Sequence, residues 1–311
     1  MLTAIISQSV SASGTFSGIS TRMEPARTQA VGGAGVAVGA DPSLFPLNPG
    51  LLSTCGGMSL SMGAQRGTAA DLSSQLQWTQ SLMGGNAAAG LGYYNAGRAE
   101  YWFDDGTSTT LNVQKDILLY AGWGTNIIGN IGAGIGLKAV NSELAGTAQS
   151  WGMGADLGVH MVFSEIISGG LSFQNLGSAV KWGKDSMAQP AMVRTGVAAV
   201  FPVRDNLMGD PADYLQLVQD VSFSFIDGIF MSSTGAEYQW NNAAFARVGL
   251  RAGSRPGLTG FSAGAGIRTA IYRLDYAAWL GSPIDMPHFL TITFFIPEHR
   301  NNESGGMGGG Q

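Results

Sequence analysis

Apolar residues alternate with small or polar residues along most of this chain, and that pattern is the strongest constraint on its fold. In 130–140, isoleucine, alanine and leucine occupy one set of alternate positions, while glycines and a lysine occupy the other. The same pattern recurs in 151–162, 244–252, 261–268 and 272–278. Because successive side chains of a β-strand point to opposite faces, a repeat of two predicts strands with one apolar face. The sequence therefore predicts an all-β protein.

Ten further segments have strand-like sequences, which brings the candidate strands to fifteen. They are 57–65, 73–82, 86–94, 98–103, 116–125, 168–175, 189–201, 215–226, 234–240 and 288–296. The short segment 98–103 is the least strand-like of the set. Closed single-chain bacterial barrels have an even number of strands, so we predict about fourteen.

Composition indicates which face of these strands is outside. Charged residues are only 12% of the chain and hydrophobic residues 45%, whereas about a quarter of a soluble protein is charged. A soluble sandwich needs lysine and glutamate on its polar face, but here that face carries glycine, serine and few charges. We therefore predict a transmembrane antiparallel β-barrel whose apolar face meets lipid. The alternative is a soluble glycine-rich β-sandwich, which would bury the apolar face between two sheets.

A barrel of this type implies the outer membrane of a diderm bacterium, with membrane lipid as its surroundings. The net charge of −5 argues against a nucleic-acid partner, which would require a basic face. Aromatic residues near predicted strand ends suggest a belt at the membrane interface. They are Tyr93, Tyr94, Tyr101, Trp102, Trp123, Trp151, Trp182, Trp240 and Trp279.

The two ends of the chain differ from the middle. Residues 1–20 contain a short apolar run and a small-residue stretch, Val10-Ser11-Ala12, but no basic residue. We interpret them as a truncated signal peptide or a flexible N-terminus. Residues 27–31, after Pro25, could start a short helix, and 297–311 are predicted to be a disordered glycine-rich tail.

Several stretches, in order along the chain, resemble the PorV/PorQ-type outer-membrane proteins, a group of the FadL-like barrels. The N-terminal stretches include Gly32-Gly33-Ala34, Asp41 and Asn48-Pro49-Gly50. The later stretches are 171–177, 245–279 and 288–294. This chain departs from the family where it lacks an alanine between Pro49 and Gly50, and where Pro42 replaces a residue that is often acidic.

The resemblance implies a FadL-like barrel over 57–296, with 21–56 folded into the lumen as a plug. It also implies a function. PorV-type relatives are accessory proteins of type IX secretion and surface attachment, so secretion-system subunits or exported cargo would be the partners, and this is our main hypothesis. The alternative is a FadL-like transporter of long-chain fatty acids or other hydrophobic small molecules. Transport would require a continuous apolar pocket between plug and wall.

The residues of the plug motif have a simple physical interpretation. The spacing of Gly33, Gly35 and Gly39 is wrong for a dinucleotide loop. Small residues such as Gly32, Gly33 and Ala34 instead let backbone approach backbone. In Asn48-Pro49-Gly50 we expect a turn into the first strand, in which Asn48 caps, Pro49 fixes φ and Gly50 permits a positive φ.

Ionisable residues on the glycine-bearing faces are predicted to form a polar ladder in the lumen. They are Asp156, His160, Arg247, Arg251, Arg268, Arg273 and Asp275. The ladder could pair internally, contact the plug or bind an anionic ligand. Asp156 and His160 share a face, as a hydrolase would require, but lumenal packing is the simpler explanation. With one cysteine, Cys55, and three scattered histidines, we expect no metal site, no cofactor and no enzymatic activity.

Overall fold

The computed structural model describes residue 19 and residues 23–67, 71–102, 105–146, 148–177, 180–182, 185–205, 211–255, 258–280 and 286–296. The predicted tail, 297–311, and nearly all of the predicted N-terminus, 1–20, lie outside these residues. Within them, no helix has both the length and the apolar character needed to cross a bilayer.

In the described residues, fourteen of the eighteen strands form one closed antiparallel barrel. In chain order the strands are β1 (Met58–Arg66), β2 (Leu72–Leu82), β3 (Gly85–Asn95), β4 (Arg98–Trp102), β5 (Ser108–Asn112), β6 (Gln114–Ile128), β7 (Ile131–Leu144), β8 (Ala148–Val162), β9 (Ile167–Gly177), β10 (Val180–Trp182), β11 (Asp185–Met187), β12 (Met192–Asp205), β13 (Pro211–Ser224), β14 (Ile229–Trp240), β15 (Ala244–Gly253), β16 (Gly260–Arg268), β17 (Tyr272–Trp279) and β18 (His288–Ile296). The predicted all-β barrel of about fourteen strands is confirmed.

Each barrel strand pairs with the next barrel strand along the chain, and β1 pairs with β18 to close the cylinder. The other four strands form two separate hairpins, β4–β5 and β10–β11. The candidate strand 98–103 is therefore wrong as a barrel strand, because it is one arm of the β4–β5 hairpin. A hairpin outside a barrel alternates like a barrel strand, so the pattern alone does not separate them.

The two ends of the barrel differ in their connections. One end has short turns, among them 83–84, 129–130 and 241–243, and we call it the short-turn end. In the turn 83–84, Met83 and Gly84 both have positive φ (54° and 71°), as a two-residue hairpin of the primed type requires. The opposite end carries both extra hairpins, and we call it the long-loop end.

The apolar face of the strands points outward. Leu137, Met153 and Val248 are 61%, 71% and 60% exposed, whereas the inward-facing Arg247 and Asp275 are 2% and 0% exposed. A soluble sandwich would bury the first set and expose the second. The orientation and the closed sheet are those of an outer-membrane β-barrel, as the sequence predicts.

The predicted aromatic belt is only partly correct. Trp102, Trp123, Trp151 and Trp240 are exposed, and Trp102 belongs to the β4–β5 hairpin. Tyr94, in contrast, is 8% exposed and packs inside the barrel. Trp279 also turns inward, where its indole nitrogen donates a hydrogen bond to Gln29 (2.8 Å). The side chain of Trp182 lies outside the described part of the chain.

Candidate functional site

Residues 23–56, which we call the N-terminal segment, lie against the inward faces of the barrel strands. The segment contains one short helix, α1 (Ala26–Ala30), and two 3-10 turns, Pro42–Leu44 and Pro49–Thr54. The helix begins directly after Pro25, near the predicted position. Ala30, Leu44 and Leu51 of the segment are at most 1% exposed, so the segment is packed and not merely tethered.

Inward-facing glycines of the wall make room for the backbone of this segment. A β-carbon on Gly134 would lie 2.2 Å from the carbonyl oxygen of Pro49. On Gly170 it would lie 2.1 Å from the carbonyl oxygen of Val36. Similar close approaches to 30–32 occur at Gly235, Gly249 and Gly264. The glycine-bearing faces of the strands are therefore the surface on which the segment is seated.

The Gly32-Gly33-Ala34 part of the motif contacts the wall through its backbone. Gly32 and Gly33 have φ values of 76° and 89°, a region that favours glycine. This conformation presents their carbonyl oxygens to the wall, where Arg251 donates to Gly32 and Arg194 donates to Gly33, both at 3.0 Å. Ala34 is 1% exposed.

Asn48 fixes the second part of the motif. Its side-chain oxygen accepts a hydrogen bond from the Gly50 amide (2.9 Å) and its NH₂ group donates to the carbonyls of Val36 and Val159 (2.8 and 3.0 Å). Gly50 does not use the positive φ that glycine permits, because it lies within a 3-10 turn that Pro49 begins. Glycine is needed there for space, since a β-carbon would lie 2.8 Å from the Gly158 carbonyl carbon.

Six charged side chains form a closed ring, the charge ring, that joins the N-terminal segment to β14, β15 and β17. In order around the ring they are Arg27, Asp41, Arg273, Asp275, Arg247 and Glu237. Arg27 lies 2.8 Å from both Asp41 and Glu237, and Arg273 lies 2.8 Å from Asp41 and 2.7 Å from Asp275. Arg247 contacts Asp275 at 2.7 Å and closes the ring on Glu237. Cations and anions alternate, so the ring as a whole is neutral.

A second charged group lies nearer the long-loop end. Glu24 contacts Arg194 at 3.0 Å and Arg251 at 3.6 Å. Arg194 also lies 4.0 Å from Asp220, whose carboxylate accepts hydrogen bonds from two backbone amides of the segment, at 2.8 and 3.0 Å. The Arg251 guanidinium stacks over the Trp279 ring at 4.6 Å.

The rest of the predicted ladder has separate partners. Asp156 pairs with Lys138 at 2.7 Å, while the His160 ring lies 3.2 Å from the carbonyl oxygen of Ala37. Arg268 is exposed at the end of β16. The ladder is thus divided among the charge ring, the Glu24 group, the Lys138 pair, His160 and Arg268, whose guanidinium stacks over the Phe295 ring at 5.0 Å. Among the residues described, no three His, Cys, Asp or Glu side chains could together hold a metal ion.

Sequence reasoning missed several members of these groups. They are Glu24, Arg27, Lys138, Arg194, Asp220 and Glu237. Lys138 and Glu237 occupy inward positions on their strands, so a complete reading of the glycine-bearing faces could have found them. Arg27 and Glu237 are 210 residues apart, and no local pattern indicates that they pair.

The opposite side of the N-terminal segment is apolar. Together with Ile19, this side contacts β3, β6 and β7 in a cluster that we call the apolar seam. Its members are Ile19, Met23, Phe45, Leu52, Ala88, Tyr94, Leu118, Tyr120 and Val140. Tyr94 lies near the long-loop end of β3 and Ala88 near its short-turn end. The seam therefore extends through much of the barrel's depth along this wall, and two further apolar clusters join the segment to β12 and β13 and to β17 and β18.

Two small cavities lie inside the described part of the barrel. One cavity lies beside Arg27 and Glu237 and another beside Glu24 and Thr291, each of about 10 Å³. That volume is close to the minimum for a single water molecule. A solute larger than water would have to move side chains to pass either place.

No protein-family model matches the chain, and no curated protein matches it in sequence. Solved structures match it in fold. The Pseudomonas putida toluene transporter TodX aligns with a TM-score of 0.65 at 14% identity, over 89% of this chain and 100% of TodX. The Ralstonia pickettii toluene transporter TbuX gives 0.61 at 14% identity, over 88% of this chain and 98% of TbuX. The CymD monoaromatic hydrocarbon channel gives 0.61 at 13% identity, over 89% and 98%.

At these identities the similarity establishes the fold. The expected fourteen-stranded barrel architecture is confirmed at that level, while the resemblance to PorV/PorQ-type proteins is not.

Proposed function

We propose that this barrel is a channel for small, uncharged hydrophobic molecules in the outer membrane. The observation that carries the proposal is the apolar seam, which offers a hydrophobic solute a continuous lining between the N-terminal segment and one wall. The similarity of fold to toluene transporters and to a monoaromatic hydrocarbon channel supports it.

The arrangement of charges favours an uncharged solute over a fatty-acid anion. The buried cations Arg27, Lys138, Arg194, Arg247 and Arg273 each contact a carboxylate of the protein. A carboxylate ligand would have to replace one of these contacts, and a carboxylate left buried without a partner is strongly unfavourable. A hydrocarbon can bind without breaking any of these ion pairs.

The N-terminal segment would act as the plug of this channel. On its charged side it is held by ion pairs, whose separation would expose buried charge. On the seam side it is held by apolar contacts, which a hydrophobic solute can replace without loss of burial. A solute would therefore pass along the seam while the charge ring stays closed.

The accessory role in secretion, which the sequence resemblance favoured, has no comparable support. The solved structures named above are of transporters and channels for hydrophobic compounds, so the transport alternative is the better supported. We retain the accessory role as the outcome to be tested against it.

Uptake of radiolabelled toluene by cells that produce the barrel tests the proposal. We expect faster uptake than in cells without it, and Ala88→Leu, which enlarges a seam residue that is 3% exposed, should abolish the gain. Ala89→Leu is the matched control, because the neighbouring Ala89 faces outward. If cells that produce the wild-type barrel take up toluene no faster than cells without it, and secretion subunits co-purify with the barrel stoichiometrically, the accessory role is favoured instead.

A further inference from the structure

Tyr120 of β6 lies across Gly90 of β3, at mid-depth in the apolar seam. The two residues are direct partners in the β3–β6 register, and both face inward. A β-carbon on Gly90 would lie 2.3 Å from Cζ, 2.5 Å from Cε1 and 2.5 Å from the hydroxyl oxygen of Tyr120. The phenol ring thus occupies the space that a side chain at residue 90 would fill.

Gly90 differs in this respect from the glycines that seat the N-terminal segment. Its three nearest atoms all belong to the Tyr120 side chain, whereas those of Gly134 belong to the backbone of Pro49 and Gly50. A backbone contact is fixed, but a tyrosine side chain can rotate about its χ angles. The space over Gly90 is therefore filled by a group that can leave it.

The Tyr120 ring is held from two sides. Phe45 of the N-terminal segment stacks on it with ring centroids 5.0 Å apart and an interplanar angle of 29°. Its hydroxyl lies over Gly90, whose register partner on β2 is Gln77. Because Tyr120 is 5% exposed and lies within the seam, a solute that moves along the seam must displace its ring.

We propose that Tyr120 is the gate of the seam, and that the space over Gly90 is a seat for one aromatic ring of the solute. This inference rests on the proposed channel function. The group that now fills the seat is itself a single six-membered ring, bounded by the Gly90 backbone and stacked on Phe45. A solute ring of the same size can take its place and keep the stacking contact, which favours offset parallel rings.

Three substitutions test the gate. Gly90→Ala places a methyl group in the seat and should lower toluene affinity about tenfold, the usual effect of one extra carbon in a closed apolar pocket. Tyr120→Ala removes the gate and should admit a two-ring hydrocarbon such as naphthalene, which the wild type admits poorly. Tyr120→Phe keeps the ring, so the ring-size preference should be unchanged.

Gly154→Ala is the matched control, because the β-carbon of that inward-facing glycine would lie 3.6 Å from its nearest neighbour, an ordinary contact. Toluene binding to the purified barrels in detergent is measured by saturation-transfer NMR, and uptake of toluene and naphthalene in cells. Heat-modifiable migration on gels shows which variants have folded. If Gly90→Ala does not fold, the ring-size preference of Tyr120→Ala decides alone.

Two failures can be told apart. In the first case, the wild type takes up toluene and Ala88→Leu blocks the uptake, which supports the channel. The gate proposal is nevertheless overturned if Gly90→Ala has the same toluene affinity as Gly154→Ala, or if Tyr120→Ala keeps the ring-size preference of the wild type. If the wild type neither binds nor takes up toluene, both proposals are overturned.

Discussion

The carbonyl oxygen of Pro49 lies directly over the backbone of Gly134, where a β-carbon would come within 2.2 Å of it. The contact joins the N-terminal segment to β7 without any side chain from the wall. It also explains why glycine occurs on the inward face of a strand despite its low strand propensity. What is required at residue 134 is close approach, and not an unusual φ.

Gly134→Ala should therefore destabilise the barrel. Overpacking of a closely packed interior typically lowers the free energy of unfolding by about 1–3 kcal/mol. The matched control is Gly136→Ala on the same face of the same strand, where the β-carbon would lie 3.5 Å from its nearest neighbour. Urea unfolding in detergent, followed by tryptophan fluorescence, measures both. Equal midpoints for the two variants would contradict the proposed seating of the segment.

Asp41→Asn should loosen the N-terminal segment. Asp41 contacts both Arg27 and Arg273 of the charge ring, and removing one partner of a buried ion pair typically destabilises by about 3–5 kcal/mol. We expect faster proteolysis within 23–56 and a higher ion conductance in planar bilayers. Asp105→Asn, in an exposed turn where Asp105 contacts only Thr107 among the partners seen, is the control and should change neither. If the variant resists proteolysis as well as the wild type does and conducts no more ions, the ring does not hold the segment.

Asn48→Asp should be more damaging than its small change in shape suggests. The substitution removes the NH₂ donor to the carbonyls of Val36 and Val159, and buries a carboxylate at a site that is 0% exposed. Unsatisfied buried groups typically cost about 1–3 kcal/mol each, and more when charged. The folded fraction after refolding into detergent should fall. Asn242→Asp, in an exposed turn, should refold like the wild type, and a similar yield for both variants would contradict the role assigned to Asn48.

Leu137→Arg tests the orientation of the strands. Leu137 lies midway along β7 and is 61% exposed on the outer face. An arginine at the bilayer midplane of a barrel costs about 2–4 kcal/mol, so folding into lipid vesicles should weaken by that amount. Leu137→Phe, which stays apolar, is the control. If arginine were tolerated as well as phenylalanine, the outer face at that depth would not contact hydrocarbon.

Much of the barrel could be predicted from the sequence because alternation is a local signal. The segment 151–162, for example, is observed within β8, and 288–296 coincides with β18. The same signal includes the hairpin arm at 98–103, because a strand outside the barrel alternates in the same way. The composition of each strand face predicted its direction: the apolar face points outward and the glycine-bearing face points inward.

The interior could be predicted only in part. Inward residues such as Arg247 and Asp275 are visible as charges on a glycine-bearing face, but their partners depend on how the sheet closes. Arg27 pairs with a residue 210 positions away, and the Tyr120–Gly90 contact depends on strand register and on the position of Phe45. These contacts arise from tertiary geometry, and no periodic pattern in the sequence indicates them.

The charge ring also limits the order in which the molecule can be assembled. Arg27 and Asp41 are synthesised early, yet Glu237 and Arg273 follow them by 210 and 232 residues. Until β14 and β17 exist, these two side chains have only each other as partners in the ring, and the remaining charged positions of the ring are empty. The N-terminal segment therefore completes its charge ring only after β17 has formed, and a protein truncated before β14 would hold the segment by its other contacts alone, such as those of Phe45, Asn48 and Pro49.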